Sequence, residues 1–130
     1  VLFLGDSNGR EIYRDFISRS SCKVQISEDK IRWHKPLKCA NESLNLTMEW
    51  FPHSHPFYTD SDAWADNNWI TAANKVIDAI PSNGRHFVYI NHFLHLTSTH
   101  ISAYVAMMTA IKESIKRLLM RNPDCFLVII

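Results

Sequence analysis

Val1-Leu2-Phe3-Leu4-Gly5-Asp6-Ser7-Asn8-Gly9-Arg10 opens the chain and decides how the rest is read. Val1 to Leu4 is a short, continuous apolar run stopped by a turn signal, the pattern of a buried strand. Gly-Asp-Ser follows, and a helical pattern begins at Glu11-Ile12-Tyr13. A serine between the C-terminal end of a strand and the N-terminus of a helix stands where open α/β sheets hold reactive groups. Backbone N–H groups there point outward and stabilise a developing oxyanion. Gly5 allows a tight turn and the close approach of a substrate. Ser7 is therefore a candidate nucleophile. The same residues are also ordinary turn chemistry, with Asp6 or Ser7 capping the next helix. The strand before them supplies the context that the nucleophile reading requires.

Outward from this stretch, Arg10 to Ser18 reads as a helix with Ile12, Tyr13, Phe16 and Ile17 on one side. Ser18 to Lys38 is polar and reads as irregular, apart from a short strand at Val24-Gln-Ile26. Asn45 to Phe51 alternates and is rich in strand formers; Pro52 ends it, and Pro52 to Pro56 is a loop. Asp66 or Asn67 caps a helix reaching Ala79, with Trp69, Ile70, Ala73, Val76, Ile77 and Ile80 as its apolar face and Pro81-Ser-Asn-Gly84 as its stop. His86 to Asn91 is the clearest internal strand. Ile101 to Met120 is the longest helix. Its stripe is Ile101, Tyr104, Val105, Met108, Ile111, Ile115, Leu118 and Leu119, with Lys112, Glu113, Lys116 and Arg117 opposite. Asn122-Pro-Asp124 terminates it before a last strand, Cys125 to Ile130. Strands alternating with helices predict an α/β fold with a largely parallel sheet. In such a sheet Ser7, the His53 loop and the Asn91–His95 loop converge at one edge. The chain opens and closes in core strands, so residues 1–130 read as one partial domain cut from a longer protein.

The chain has 130 residues, enough for a real core, and a net charge of +1, which leaves no electrostatic footprint for nucleic acid or an anionic membrane. No apolar run approaches the roughly 20 residues of a membrane span. Cys22 and Cys39 flank a polar stretch and are able to pair, whereas Cys125 reads as a buried strand residue. Two N-glycosylation sequons, at Asn41 and Asn45, lean towards the secretory pathway, which also permits a disulfide.

Other constellations carry chemistry less directly. Asn91 at a strand end can donate its amide to an oxyanion near Ser7, and a histidine of Asn91-His92-Phe-Leu-His95 can orient a substrate or act as a base; the alternative is a turn cap and a histidine-filled loop. His53-Ser-His55 alternates histidines, but a zinc site needs coherent ligand spacing, and no such set is present. Met107-Met108 reads as core. Trp50, Trp64 and Trp69 can line a sugar-binding face, or they are core. A serine hydrolase also needs a base, and nothing in the spacing of the seven histidines selects one.

Four blocks in order resemble one family. Phe3 to Arg10 resembles the Gly-Asp-Ser-x-x-Arg block of the PC-esterase branch of the SGNH hydrolase-like superfamily. Leu46-Thr-Met-Glu-Trp-Phe-Pro-His-Ser-His-Pro-Phe57 resembles the strand and Phe-His-Gly-x-Pro block of the neurexophilin and PC-esterase (NXPE) family's C-terminal domain. His86 to His95 resembles that family's strand ending in Gly-x-His, and Ala110 to Asp124 followed by Val128-Ile-Ile130 its long helix and following strand. The resemblance implies a flavodoxin-like three-layer α/β/α sandwich, a secreted or Golgi-lumenal setting, and acyl-ester chemistry on carbohydrate, either O-acetyl transfer or deacetylation. It implies no bound cofactor and leaves the acyl donor of a transferase unknown. Carried over, Ser7 matches the nucleophile, Asp6 and Arg10 shape its turn, Asn91 is the candidate oxyanion asparagine, and His53 and His95 match histidines of the later blocks.

Two positions depart from the family pattern: Ser54 and Phe93 stand where glycines are expected. The superfamily's catalytic Asp-x-x-His belongs beyond a further helix and strand, and no histidine follows Pro123-Asp124. Residues 1–130 are thus expected to be inactive alone. The alternative to an esterase or acetyltransferase is a non-catalytic esterase-like domain that binds a glycan or receptor.

Overall fold

A computed structural model describes residues 1–28, 35–53, 70–92, 96, 97 and 99–130. The elements run β1 (Leu2–Gly5), α1 (Ser7–Ser20), β2 (Lys23–Ile26), β3 (Leu37–Asn41), β4 (Leu46–Pro52), α2 (Ala73–Asp78), β5 (Phe87–Asn91), α3 (Ile101–Arg121) and β6 (Phe126–Ile129), with a 3₁₀ turn at Glu42–Leu44. Among the described residues they form an α/β protein around a six-stranded sheet in the order β2-β3-β4-β1-β5-β6. β4, β1, β5 and β6 are mutually parallel, while β3 and β2 continue the sheet antiparallel beyond β4.

Strand alternation divides the core into two layers. Phe3, Met48, Trp50 and Tyr89 point to one side and pack with Tyr13 of α1, Leu37 and Cys39. Leu4, Val88 and Ile90 point to the other and meet Val76 and Ile77 of α2 and Ile111 and Leu118 of α3. Neighbouring residues of β1 thus serve opposite layers. That is why Val1 to Leu4 reads as a continuous apolar run rather than an alternating one.

α2 is too short to be stable on its own propensity, and α3 completes it. Arg121 donates to the carbonyls of Ile77, Asp78 and Ile80 at the C-terminal end of α2. Asp78 accepts from Ser114 (3.0 Å) and Arg117 (2.7 Å), and these contacts hold its carboxyl below the usual carboxylate range. Buried Asn122 ends α3 and donates to Pro81 (3.2 Å) and Gly84 (3.0 Å), tying the turn after α2 to the same point.

Several elements differ from the sequence reading. Leu37–Asn41 is a strand that begins at the end of the stretch read as irregular and runs past it; Leu37 and Cys39 are buried, but the run is too short to declare itself beside Pro36. α1 extends from Ser7 to Ser20, beyond the expected bounds at both ends. The helix expected from Asp66 begins at Ala73 among the described residues, because Ala72 is extended (φ −57°, ψ 137°); Asp66, Asn67 and Trp69 lie outside the described residues. Of the α3 stripe, Ile111 and Leu118 are buried and Met108 and Ile115 half-buried, while Ile101, Tyr104, Val105 and Leu119 are exposed. At ~1.5 Å per residue its 21 residues outrun the strands beneath it. Cys125 is only partly buried, and desolvation raises its thiol pKa.

Cys22 and Cys39 form a disulfide with a Cα–Cα distance of 5.6 Å, joining the end of α1 to β3. The bridge spans 17 residues, so the Cys22→Ser, Cys39→Ser double variant is expected to lose about 3 kcal/mol in urea unfolding. An unchanged midpoint would show that the bridge constrains nothing in the unfolded chain.

Tyr13 is buried, and among the described residues its hydroxyl has no hydrogen-bond partner. Burial, and then the negative charges of Glu49 and Glu28, push the phenol up to about 12. The unfolded phenol ionises near ~10. Its contribution to stability is therefore complete below that pH and is lost as pH rises through about 12. Tyr13→Phe should match the wild type at neutral pH, since it removes an unsatisfied hydroxyl, and should flatten the alkaline loss. A variant less stable at pH ~7 by more than about 1 kcal/mol would reveal a hydroxyl contact in the folded protein.

Candidate functional site

β1 lies between β4 and β5, and the chain crosses it in passing from β4 to β5. The order of connection therefore reverses beside β1, and crevices outside the carboxyl ends of strands at such switch points bind ligands. The register fixes what meets there. Gly5 pairs with Pro52 on one side and Asn91 on the other, so Asp6, His53 and His92 form the next row. His53 N–H donates to the Gly5 carbonyl (3.3 Å), and Asp6 N–H donates to the Asn91 carbonyl (3.4 Å).

Gly5 is required by this backbone packing. Its φ is +156°, and a Cβ there would lie 2.0 Å from the Asn91 carbonyl oxygen. The close approach expected of a substrate is made by the neighbouring strand.

Of the two candidate caps in Gly-Asp-Ser, the helix uses one. Asp6, fully buried, is the cap: its Oδ1 accepts from Asn8 N–H (2.8 Å) and its carbonyl from Arg10 N–H (3.2 Å). Ser7 is the first residue of α1 and is partly exposed, so its hydroxyl is not used as the cap. Its N–H belongs to the first turn, whose donors have no carbonyl four residues back, and the helix N-terminus adds partial positive charge.

Arg10 lies one turn further on, its side chain 12% exposed. Its guanidinium sits over the Trp50 ring, 5.8 Å from the centroid, and 3.7–3.8 Å from Glu28 and Glu11. Arg14 pairs with the same two carboxylates. Arg10 is thus a brace between α1 and β4. Trp50 is fully buried beneath it and lines no sugar-binding face, contrary to one sequence reading. Trp64, Trp69, Ser54, Phe93 and His95 lie outside the described residues.

Asn91 is buried, and strand parity directs it to the α1 side of the sheet; its Oδ1 has no hydrogen-bond partner among the described residues. The histidines take the other side. His53 and His92 are both buried, and their rings stack at 4.8 Å with planes 22° apart. They border a cavity of about 230 Å³ shared with α2 and α3. Sequence reasoning held His92 only as one of the two histidines of the Asn91–His95 stretch and did not pair it with His53. Its only signal is that it follows β5 as His53 follows β4, and the pairing becomes visible only with the register through Gly5. His86 and His100 are elsewhere: one ring contacts the Asn83 carbonyl (2.9 Å) before β5, and the other caps α3. Among the described residues no group of three His, Cys, Asp or Glu side chains is placed to hold a metal ion.

The sequons differ in what their asparagines do. Asn41 Nδ2 donates to the Ser20 carbonyl (3.0 Å), and its Oδ1 accepts from Ser43 Oγ (2.7 Å) and Leu44 N–H (3.2 Å). Asn45 is exposed, at a left-handed turn with φ 47°.

The model of one protein family, described as the NXPE family member 4-like C-terminal domain, matches residues 1–130. The chain belongs to the NXPE family. No curated protein matches it, and neither does any solved structure. Within the described residues of this NXPE domain, no helix is long and apolar enough to cross a membrane.

The Gly5 contact gives a direct test of the site's architecture. Gly5→Ala should destabilise the domain by about 3 kcal/mol or more, since the obstructing atom is backbone. Chemical denaturation reads this, and a loss within about 0.5 kcal/mol would mean that β1 and β5 do not close as described.

Proposed function

We propose that this NXPE domain supports acyl-ester chemistry on carbohydrate, as an O-acetyltransferase or O-acetyl esterase, with Ser7 as the nucleophile. The observation that carries the reading is that Asp6, and not Ser7, caps α1. The serine hydroxyl is left for chemistry at a helix N-terminus beside Asn91. In this reading Ser7 Oγ attacks the acyl carbonyl, and the tetrahedral oxyanion is held by Ser7 N–H and the Asn91 side-chain amide. Collapse releases the alcohol and leaves an acyl-serine ester, which passes to a sugar hydroxyl or to water. The proton of Ser7 needs a base. His53 and His92 face α2 and α3, across the sheet from α1, so neither is assigned that role. The family resemblance assigns it to an Asp-x-x-His segment outside residues 1–130.

The test is labelling of the full-length protein by a fluorophosphonate probe. Labelling should vanish in Ser7→Ala, and Asn91→Ala should slow it by about 10²-fold or more. A folded full-length protein that takes no label at Ser7 would move the reading to a non-catalytic glycan- or receptor-binding domain.

The same proposal includes passage through the secretory pathway, with Asn45 carrying the glycan. A glycan on Asn41 would have to be accommodated where Nδ2 turns to the Ser20 carbonyl, whereas Asn45 is exposed. On expression through secretory cells, the glycosidase-sensitive mass shift should be lost in Asn45→Gln and retained in Asn41→Gln. The reverse pattern would refute the assignment.

A further inference from the structure

We infer that Asn83–Gly84, in the turn between α2 and β5, is a site of spontaneous deamidation whose isoaspartyl product loosens the joint between α2 and α3. The chemistry needs only water and solvent base. The Gly84 nitrogen loses its proton and attacks Asn83 Cγ; an N–C bond forms, the Cγ–Nδ2 bond breaks, and the amide nitrogen leaves as ammonia with that proton. Water then opens the cyclic imide at either carbonyl, giving aspartate or isoaspartate at position 83. Glycine after asparagine favours the first step, since no side chain obstructs the attacking nitrogen. The tetrapeptide Ser-Asn-Gly-Arg occurs twice, at residues 7–10 and 82–85. Local sequence therefore treats both asparagines alike, and the fold alone tells them apart.

Asn8 lies in the first turn of α1. Its N–H is bonded to Asp6 Oδ1 (2.8 Å), and Gly9 is buried beside Trp50. Helical dihedrals hold the Gly9 nitrogen away from Asn8 Cγ, so ring closure there requires the turn to open. Asn83 lies in neither helix nor strand, and residues 81–85 are all exposed. Gly84 is left-handed (φ +85°), and its N–H makes no hydrogen bond among the described residues. His86 Nε2 donates to the Asn83 carbonyl (2.9 Å). That carbonyl belongs to the peptide whose nitrogen attacks, so the bond draws charge from it and makes the Gly84 N–H more acidic. Buried Asn122 converts the modification into a loss of stability. Its Nδ2 donates to the carbonyls of Pro81 (3.2 Å) and Gly84 (3.0 Å), one on each side of position 83. Isoaspartate carries the main chain through the former side chain and adds one carbon between these two acceptors. One of the bonds then breaks, and a buried donor left without its partner is costly. Aspartate adds no backbone atom and keeps both.

The experiment is incubation of the full-length protein in mildly alkaline buffer at body temperature, followed by peptide mapping that separates asparagine, aspartate and isoaspartate. Position 83 should deamidate faster than position 8 by about tenfold or more in the folded protein. In concentrated urea the two rates should converge, because the tetrapeptides are the same. Equal rates in the folded protein, or a ratio that urea leaves unchanged, would overturn the site. The isoaspartyl protein, separated by chromatography, should unfold at lower urea concentration than the parent, and Asn83→Asp should keep the parent's midpoint. An isoaspartyl form as stable as the parent would overturn the role of Asn122. A midpoint lowered equally by Asn83→Asp would do the same, since the charge and not the extra carbon would then be at fault.

Discussion

The contact between Gly5 and the carbonyl of Asn91 is the constraint on which the site depends. No side chain fits between them, so the central strand closes on its neighbour at the level where the chain turns into α1. Asp6 is drawn into that closure by its N–H bond to the same carbonyl, and from there it caps the helix. Ser7, Asn91 and the histidine pair take their places from this junction. Moving β1 by one residue would exchange the faces of every side chain on it, sending Phe3 into the layer that Leu4 fills.

Support for the junction comes from outside it. α2 begins at Ala73 and ends at Asp78, and side chains from the last turns of α3 satisfy its terminal carbonyls and its final carboxylate. The two helices therefore act as one unit over Leu4, Val88 and Ile90. On the other layer, the disulfide between Cys22 and Cys39 fixes the far end of α1 to β3. The near end of α1 is held by Arg10 across Trp50. α1 is thus pinned at both ends, and the serine in its first turn rides on a rigid element.

Much of this was legible in the sequence because it is local. The apolar run of β1, the alternation of β4, the β5 strand and the long α3 are signals contained within short windows, and the α/β class follows from their order. Cys22 and Cys39 were readable as a possible pair. What escaped depends on distance. β3 is a strand because Leu37 and Cys39 find Trp50 and Met48 across the sheet, and Ile101, Tyr104 and Val105 have helical spacing but stay exposed among the described residues. Ser114 looked polar and is buried because Asp78 and Arg117 receive it. In the candidate site, Ser7 and Asn91 could be named from their strand ends. Trp50 was open to a sugar-face reading because nothing local says that Arg10 and α1 lie over it. The pairing of His92 with His53 went unread because it depends on a register, which no window contains.

The separation of duties between Asp6 and Ser7 has a consequence for how such a domain can diversify. The cap, the junction and the core are made by Gly5, Asp6 and Asn91 together with the packed strands, and none of them uses the serine hydroxyl. Replacing that hydroxyl would leave the scaffold its full set of contacts. On the proposed reading, reactivity is then a detachable trait of this architecture: a lineage can shed it without first surviving a less stable ancestor, and keep the crevice for recognition alone.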